Sequence, residues 1–223
     1  MCWYHYLQPS GPRQGWSWQE GSRSRNVSPS RCTEHIPLPS CSLTLARSGG
    51  LGHFGLLWAK ALGAETYAIS HSPEKKDDAL KLGAKEFICS KDKDWAKPWA
   101  FAFDFILNAA DMTHTFNLQE YMSTLNVNGE FHNVGLPDMP LPEIKAFDFA
   151  SNGCKIGGSH IGSRPEMIEM LELASKNQIK PIIQTLSISE KGCKEAVEKV
   201  KSNDVRYRFT LVDFDKAFPN RKE

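Results

Sequence analysis

The sequence lacks a strong charge of either sign and any long apolar run. Its 223 residues include 27 basic and 26 acidic side chains, which leaves a net charge of +1. Such a chain has no basic field for capturing nucleic acid. No apolar run reaches the roughly 18 residues that span a bilayer, and no signal-peptide core is present near the N-terminus. We therefore expect no nucleic-acid partner, no membrane partner and a cytoplasmic location.

Closely spaced cysteines are also missing. The six cysteines are scattered over the chain, at Cys2, Cys32, Cys41, Cys89, Cys154 and Cys193. This spacing indicates neither a CxxC metal site nor a dense disulfide framework. Buried free thiols in a reducing compartment are the expectation.

Residues 1–40 differ in composition from the rest of the chain. They contain no lysine and concentrate Ser, Pro, Arg and Trp without helical or alternating periodicity. We predict a disordered leader, and one hypothesis is that a shifted reading frame or a retained intron produced it. From about residue 49 onward, strand-like apolar runs alternate with amphipathic helical ones. This pattern predicts an α/β fold, with a Rossmann-like parallel sheet and helices on both faces.

The boundaries of the elements follow from the same pattern. We expect helices over residues 51–62, 72–82, 115–125, 164–176 and 190–202, with Gly63 and Gly83 ending the first two. The dipeptide Asn128-Gly129 predicts a turn before a strand. The predicted strands cover residues 41–46, 65–70, 86–89, 101–109, 130–135, 155–159, 182–188 and 207–212.

A glycine-rich turn, Gly49-Gly50-Leu51-Gly52, separates the first strand from the first helix. In this order, backbone N–H groups and the positive end of the helix can hold a pyrophosphate. Glycines also occur in ordinary turns, and Arg47 stands where the full dinucleotide fingerprint has its first glycine. This motif alone leaves a cofactor site and an ordinary turn equally open.

The end of the second strand is more informative. Sites for NAD place an Asp or Glu there to bind the ribose hydroxyls, but this chain reads Ser70-His71-Ser72-Pro73-Glu74-Lys75-Lys76. Hydroxyl and ammonium groups suit the 2′-phosphate of NADP. A capped helix with solvated lysines is the alternative, and it needs no ligand. The sequence favours an NADP site.

Residues 49–213 resemble a known family. The segments GGLGHFGLLWAKALGAETYAISHSPEKKDDALKLGAKEFI, EFHNVGLP, NGCKIGGSHIGSRPEMIEMLELA and DVRYRF occur in order. They are similar to the cofactor-binding part of zinc-type medium-chain alcohol dehydrogenases, in the NADP-dependent, cinnamyl-alcohol-dehydrogenase-like branch. The resemblance implies an NADP-binding Rossmann domain over residues 41–178. It also implies a C-terminal segment, residues 179–223, that returns to a catalytic domain.

The resemblance also implies a set of cofactor contacts. Gly49, Gly50 and Leu51 would face the pyrophosphate, with Arg208 reaching the cofactor phosphates. For Val134, Leu136 and Ile161, core packing is an open alternative. The 2′-phosphate would lie among Ser70, His71, Ser72 and Lys75, and the nicotinamide side among Val134, Gly135, Leu136, Ser159, His160 and Ile161.

The activity implied by the resemblance is the NADP-dependent interconversion of an alcohol and an aldehyde by hydride transfer. In that family the substrate binds a zinc ion held in a separate N-terminal domain. This chain has no GHE motif and no tight cysteine cluster, and we expect His5 and His35 to be inert. We therefore predict no catalytic residue, no metal ligand and a catalytically incomplete chain.

Two alternatives remain open from the sequence. One is a non-catalytic module that binds NADP or forms a homodimer through an edge strand at residues 156–159. The other is a wrongly assembled coding sequence with no stable product. In either case, the strands at 182–188 and 207–212 are expected to lack their usual partners, and unpaired edges invite aggregation.

Overall fold

The computed structural model describes residues 41–45, 50–110, 116–136, 140–202 and 204–219. The predicted leader, residues 1–40, and Gly49 of the glycine turn lie outside these residues. The described helices are α1 (Gly52–Ala61), α2 (Lys76–Lys81), α3 (Leu118–Ser123), α4 (Ala146–Ala150), α5 (Arg164–Lys176), α6 (Glu190–Lys201) and α7 (Phe214–Ala217). The described strands are β1 (Cys41–Leu45), β2 (Glu65–Ser70), β3 (Glu86–Cys89), β4 (Phe103–Asn108), β5 (Leu125–Asn133), β6 (Lys155–Gly158), β7 (Gln184–Ser187) and β8 (Phe209–Val212).

Six strands form one parallel sheet in the order β3-β2-β1-β4-β5-β6. Strand β1 pairs with β2 on one side and with β4 on the other, so that Leu43 lies opposite both Tyr67 and Ile106. The strand order reverses at β1. In parallel sheets such a reversal opens a crevice beyond the carboxyl ends of the two central strands, where ligands bind. The predicted α/β fold is confirmed, and its crevice lies between the loops that follow β1 and β4.

Both faces of the sheet are buried, because successive strand residues point to opposite sides. Ile106 of β4 packs in one apolar cluster with Phe131 of β5 and Met122 of α3. Its neighbours Phe105 and Leu107 pack on the other side in a cluster that contains residues of α1 and α5. A third cluster joins α1 and α2 to β2. Helices therefore cover the sheet on both faces, as the apolar runs predict.

Local signals set several of the helix ends. Helices α1 and α2 are followed by Gly63 and Gly83, whose φ angles are 80° and 107°. Glycine adopts this left-handed conformation without the steric cost that a side chain brings. Helix α5 begins with a capping box, in which Ser163 donates its N–H to the Glu166 carboxylate. Among the described residues, no helix is long and apolar enough to cross a membrane.

Three features differ from the sequence-based expectations. Asn128-Gly129 lies inside β5 rather than before it, as an irregularity where the pairing with β4 shifts register. Asn128 has φ 61° and donates its N–H to the Asn152 carbonyl, which holds the extra residues in place. Helices α4 and α7 were not expected, since they are only 5 and 4 residues long.

The third difference concerns the C-terminal strands. Strands β7 and β8 pair with each other in parallel, with Gln184 opposite Phe209 and Ser187 opposite Val212. Each of the two strands therefore has one partner in the other, and the expectation that they lack their usual partners in a catalytic domain stays a prediction. The domain boundary at residue 178 and the assignment of residues 179–223 stay predictions.

Candidate functional site

The described part of the glycine turn leads directly into helix α1. Gly50 and Leu51 precede the helix, and the first helical hydrogen bond runs from the Gly55 N–H to the Leu51 carbonyl at 3.0 Å. The residue that caps the helix, Leu51, has no polar side-chain atom, and the first turn contains no acidic residue. Because the first N–H groups of a helix need acceptors, this end is suited to an anion.

Arg208 lies against the same turn. A methyl group on Gly50 would sit 2.6 Å from the Arg208 Nη2 atom and 3.1 Å from its Nε atom. Only a residue without a side chain leaves room for this guanidinium. The structure thus brings Arg208 to the glycine turn, although the two lie at opposite ends of the sequence, and joins a positive charge to the helix end.

The segment that carries Arg208 is anchored on both sides. The Arg208 carbonyl accepts a hydrogen bond from the Gln184 N–H at 2.8 Å. The ring of the preceding residue, Tyr207, packs 4.8 Å from the ring of His53 in α1. Burial, followed by the neighbouring Asp78 carboxylate, raises the pKa of Tyr207 to about 12. The sequence analysis did not predict this Tyr207 contact, which anchors the residue next to Arg208 on α1.

The polar residues after β2 form one tight turn. Ser70 is buried, and its Oγ accepts the Ser72 N–H at 3.2 Å. The Lys75 N–H donates to the Ser72 carbonyl at 3.2 Å, within a single 3-10 turn over Pro73–Lys75 that precedes α2. His71 is exposed. The residues predicted for a 2′-phosphate are therefore gathered at the carboxyl end of β2, beside β1, and no carboxylate ends the strand.

The residues after β5 divide into buried and exposed ones. Val134 packs against the core cluster that contains Trp58 and Met170, so core packing accounts for its side chain. Gly135 is buried, and a methyl group there would lie 2.6 Å from the Ala110 carbonyl oxygen. Leu136 is 69% exposed. Core packing does not explain Leu136, which is open to a ligand at the edge of the sheet.

The residues after β6 lie at the same edge. The Oγ atom of Ser159 is 2.9 Å from Nε2 of the buried His132, and the Nδ1 atom of His132 is 3.1 Å from Glu130. Ser159 also donates its N–H to the Asn133 carbonyl at 3.2 Å. His160 is exposed, and Ile161 is 77% exposed, so Ile161 does not pack in the core.

Two asparagines at this edge were not predicted. Asn108 ends β4 and Asn133 ends β5, and the Asn108 Nδ2 donates to the Asn133 Oδ1 at 2.7 Å. In sequence, Asn108 is an amide at the end of the apolar run of β4, which was the available signal. Asn133 ends a strand that already contains several polar residues, and only strand pairing shows that the two amides meet.

A protein-family comparison agrees with this geometry. The family model described as zinc-binding dehydrogenase matches residues 50–176, which include the described glycine turn, the Ser70–Lys75 turn and the ends of β4, β5 and β6. The chain belongs to the zinc-binding dehydrogenase family.

Similar members of this family and its fold come from yeast, plants and bacteria. The NADP-dependent alcohol dehydrogenase 6 of Saccharomyces cerevisiae is 34% identical over 182 residues, which cover 81% of this chain and 50% of the yeast protein. A cinnamyl alcohol dehydrogenase from Sorghum bicolor superposes with a TM-score of 0.70 at 32% identity, covering 77% of this chain and 47% of that one. A Helicobacter pylori structure described as CAD complexed with NADP(H) superposes with a TM-score of 0.61 at 30% identity. It covers 76% of this chain and 46% of that one. This chain spans about half the length of these relatives.

The described part of the chain offers no site suited to a zinc ion, although the family is described as zinc-binding. Across residues 41–45, 50–110, 116–136, 140–202 and 204–219, no group of three or more His, Cys, Asp and Glu side chains could hold a metal ion. Zinc sites in proteins need three or four such ligands. No step of the proposed function is therefore assigned to a metal held by these residues.

Proposed function

We propose that this chain binds NADP in the crevice at the carboxyl edge of its sheet. It would serve as the cofactor-binding part of an oxidoreductase that interconverts an alcohol and an aldehyde by hydride transfer. Family membership supports the class of reaction, as do relatives described as NADP-dependent alcohol dehydrogenases. Because the chain spans about half of those relatives, the activity and its alcohol or aldehyde substrate are inferred for the protein by descent.

The observation that carries the NADP assignment is the turn from Ser70 to Lys75. It presents hydroxyl groups and an ammonium group beside β1, where an NAD site needs a carboxylate. A phosphate on the adenosine ribose would gain charge-assisted hydrogen bonds there. The ribose of NAD, which lacks that phosphate, would find no carboxylate acceptor at the end of β2.

The remaining predicted contacts extend from this turn across the sheet. The pyrophosphate would lie on the N-terminus of α1, with the Arg208 guanidinium against Gly50 as its counter-charge. The nicotinamide half would then extend over the loops after β4, β5 and β6, since dinucleotides bind across the point where the strand order reverses. NADP supplies the hydride acceptor, and these residues bind and orient it.

Calorimetry on the full chain tests the NADP assignment. We expect NADP to bind more tightly than NAD, and Lys75→Ala to remove that preference. One charge-assisted hydrogen bond contributes about 1.5–3 kcal/mol, so the substitution should weaken NADP binding roughly 10- to 150-fold. NAD binding should change little, because NAD carries no 2′-phosphate for Lys75 to contact.

The matched control is Lys81→Ala, which removes an exposed lysine from the last residue of α2, the helix that follows the turn. This variant should keep the preference for NADP. Equal affinities of the unmodified chain for NADP and NAD would refute the assignment, as would an equal loss in both lysine variants.

Catalytic incompleteness is a separate prediction. The purified chain should contain no stoichiometric zinc and should not oxidise NADPH in the presence of cinnamaldehyde. If the chain turns over the aldehyde, the prediction is wrong and the chain is an enzyme by itself. If it binds NADP without turnover, it is a cofactor-binding module.

We also propose that the chain forms a homodimer through β6. This strand ends the described sheet, and its partner β5 lies on one side only. Backbone groups on the outer edge of a strand can pair with a second copy. Light scattering should report twice the chain mass of 25.0 kDa, whereas a mass of one chain at all concentrations would contradict the proposal.

The proposal includes a cytoplasmic location. Cys89, Cys154 and Cys193 are free thiols, and thiols persist in reducing compartments. Burial raises the pKa of Cys154, which disfavours its reactive thiolate form. Cell fractionation tests the location, and recovery in a secreted or organellar fraction would contradict it.

A further inference from the structure

We propose that Asn108 and Asn133 are positioning residues for the nicotinamide half of the cofactor. Together they hold the residues just after β4 and β5, Ala110 and Gly135, in a defined arrangement at the carboxyl edge of the sheet. The inference rests on the proposed function, since it requires that the chain binds a dinucleotide in the crevice.

The side of the crevice follows from the topology. The turn that suits the 2′-phosphate follows β2, and the helix end that suits the pyrophosphate follows β1. A dinucleotide bound across the reversal of strand order places its second half over the strands on the other side of β1. Those strands are β4 and β5, whose last residues are Asn108 and Asn133.

The two side chains join both loops through a chain of hydrogen bonds. The Asn108 Nδ2 donates to the Asn133 Oδ1 at 2.7 Å and to the Ala110 carbonyl at 3.2 Å. The Asn108 Oδ1 accepts the Ala110 N–H at 3.2 Å. The Asn133 Nδ2 donates to the Gly135 carbonyl at 2.7 Å. Each asparagine thus holds the residue two positions after it, and the pair holds the two loops together.

The backbones of the two loops are also in direct contact. Val134 and Gly135 both donate their N–H groups to the Asn108 carbonyl, at 2.9 and 3.3 Å. A methyl group on Gly135 would lie 2.6 Å from the Ala110 carbonyl oxygen, so only glycine permits this approach. The described residues directly after the two strands are therefore joined, and they cannot separate without breaking these bonds.

The pair also decides which backbone groups face outward. Because the N–H of a trans peptide points opposite to the preceding carbonyl, the Leu136 N–H points away from the amide that binds the Gly135 carbonyl. Leu136 itself is 69% exposed. This arrangement offers a fixed donor to a ligand beyond the strand ends.

Burial of Asn108 argues against a purely structural role. Asn108 is fully buried, and burying an amide costs free energy that its hydrogen bonds must offset. Apolar side chains would fill the ends of two parallel strands without this cost. Amide side chains, by contrast, form hydrogen bonds that hold the described backbone beyond the strand ends in a defined conformation.

The test compares two ligands on the full chain. NADP contains both halves of the cofactor, whereas 2′,5′-ADP contains the adenosine half with the 2′-phosphate and no nicotinamide. The ratio of their affinities measures the contribution of the nicotinamide half. We expect Asn133→Leu to lower that ratio about 10-fold, the effect of one lost hydrogen-bond network. The affinity of Asn133→Leu for 2′,5′-ADP should stay within about twofold of that of the unmodified chain. This change is well below the tenfold that corresponds to about 1.4 kcal/mol.

The matched control is Asn126→Leu, in the same strand. Asn126 donates its Nδ2 to the Asp104 carboxylate at 3.1 Å, which also links β5 to β4, but at the opposite end of both strands. This variant should leave the ratio unchanged. If Asn133→Leu does not fold, Asn133→Ser supplies the same test, because its side chain is too short to hold the Gly135 carbonyl.

The outcomes separate the two proposals. If the unmodified chain binds neither ligand, the proposed function fails. If it binds both but Asn133→Leu keeps the ratio, or Asn126→Leu lowers it equally, the positioning role is overturned while NADP binding stands. Equal affinities of the unmodified chain for both ligands would also overturn it, since no nicotinamide contact would then exist to be positioned.

Discussion

The contact between Gly50 and Arg208 allows a sharp test of how this chain holds a pyrophosphate. The Arg208 guanidinium lies close to the glycine turn. A methyl group on Gly50 would be 2.6 Å from the Arg208 Nη2, 3.1 Å from its Nε and 3.2 Å from its Cζ. Carbon and nitrogen atoms do not approach that closely, so Gly50→Ala must displace the guanidinium. Arg208 is exposed, and its long side chain can move outward without disturbing the core.

The expected magnitudes follow from this geometry. A hydrogen bond to a charged group contributes about 1.5–3 kcal/mol, so Arg208→Ala should weaken NADP binding roughly 10- to 150-fold. Gly50→Ala should weaken it by a similar factor, because it moves the same group. In the Arg208→Ala background, Gly50→Ala should weaken NADP binding by less than about threefold. The coupling free energy between the two substitutions is then about 1–3 kcal/mol.

Calorimetry on the four proteins of this cycle measures the coupling, and urea unfolding checks that stability is retained. Because the displaced side chain is exposed, Gly50→Ala should change the free energy of unfolding by less than about 1 kcal/mol. Arg206→Ala is the control, since it removes a neighbouring exposed arginine from the same segment. Additive effects of the two substitutions, or an equal loss of affinity in the control, would refute the assigned role of Arg208.

Two further predictions concern stability. Phe131 is fully buried in the largest apolar cluster, so Phe131→Ala should lower the free energy of unfolding by about 3–5 kcal/mol. Phe147 is 77% exposed, so Phe147→Ala should change the free energy of unfolding by no more than about 0.5 kcal/mol. Equal values for the two variants in urea titrations would contradict the assigned core. Burial raises the pKa of Tyr121 from 10.0 to about 12, so the unfolded chain loses this proton first and stability should fall as the pH rises from 10 to 12. At about 1.4 kcal/mol for each pKa unit, the loss is about 2–3 kcal/mol, and Tyr121→Phe should remove that part of the pH dependence.

Much of the fold follows from local sequence pattern. The predicted bounds of β2, β3 and α5 agree with the structure at residues 65–70, 86–89 and 164–176. Strands β2 and β3 begin soon after Gly63 and Gly83, and helix α5 begins after the capping residue Ser163, which are signals that neighbouring residues carry. The irregularity at Asn128-Gly129 could not be found in this way, because β4 and Asn152 hold it in the strand.

The candidate site was predictable where its residues are contiguous. Ser70, Ser72 and Lys75 lie within six positions, so one short stretch of sequence shows their chemistry and the strand before them shows their place. Leu136 and Ile161 were ambiguous between core and ligand contact, since apolar side chains serve both. Their exposure of 69% and 77% excludes core packing, and ligand contact stays a prediction.

The sequence by itself determined the alternation of strands and helices, the glycine turn, and the absence of a carboxylate after the second strand. These depend on periodicity, backbone freedom and residue chemistry, which are properties of short segments. Tertiary structure decided that Arg208 reaches Gly50 and that Asn108 meets Asn133. Both contacts join residues distant in sequence, and the order and register of the strands that bring them together are set by packing over the whole sheet.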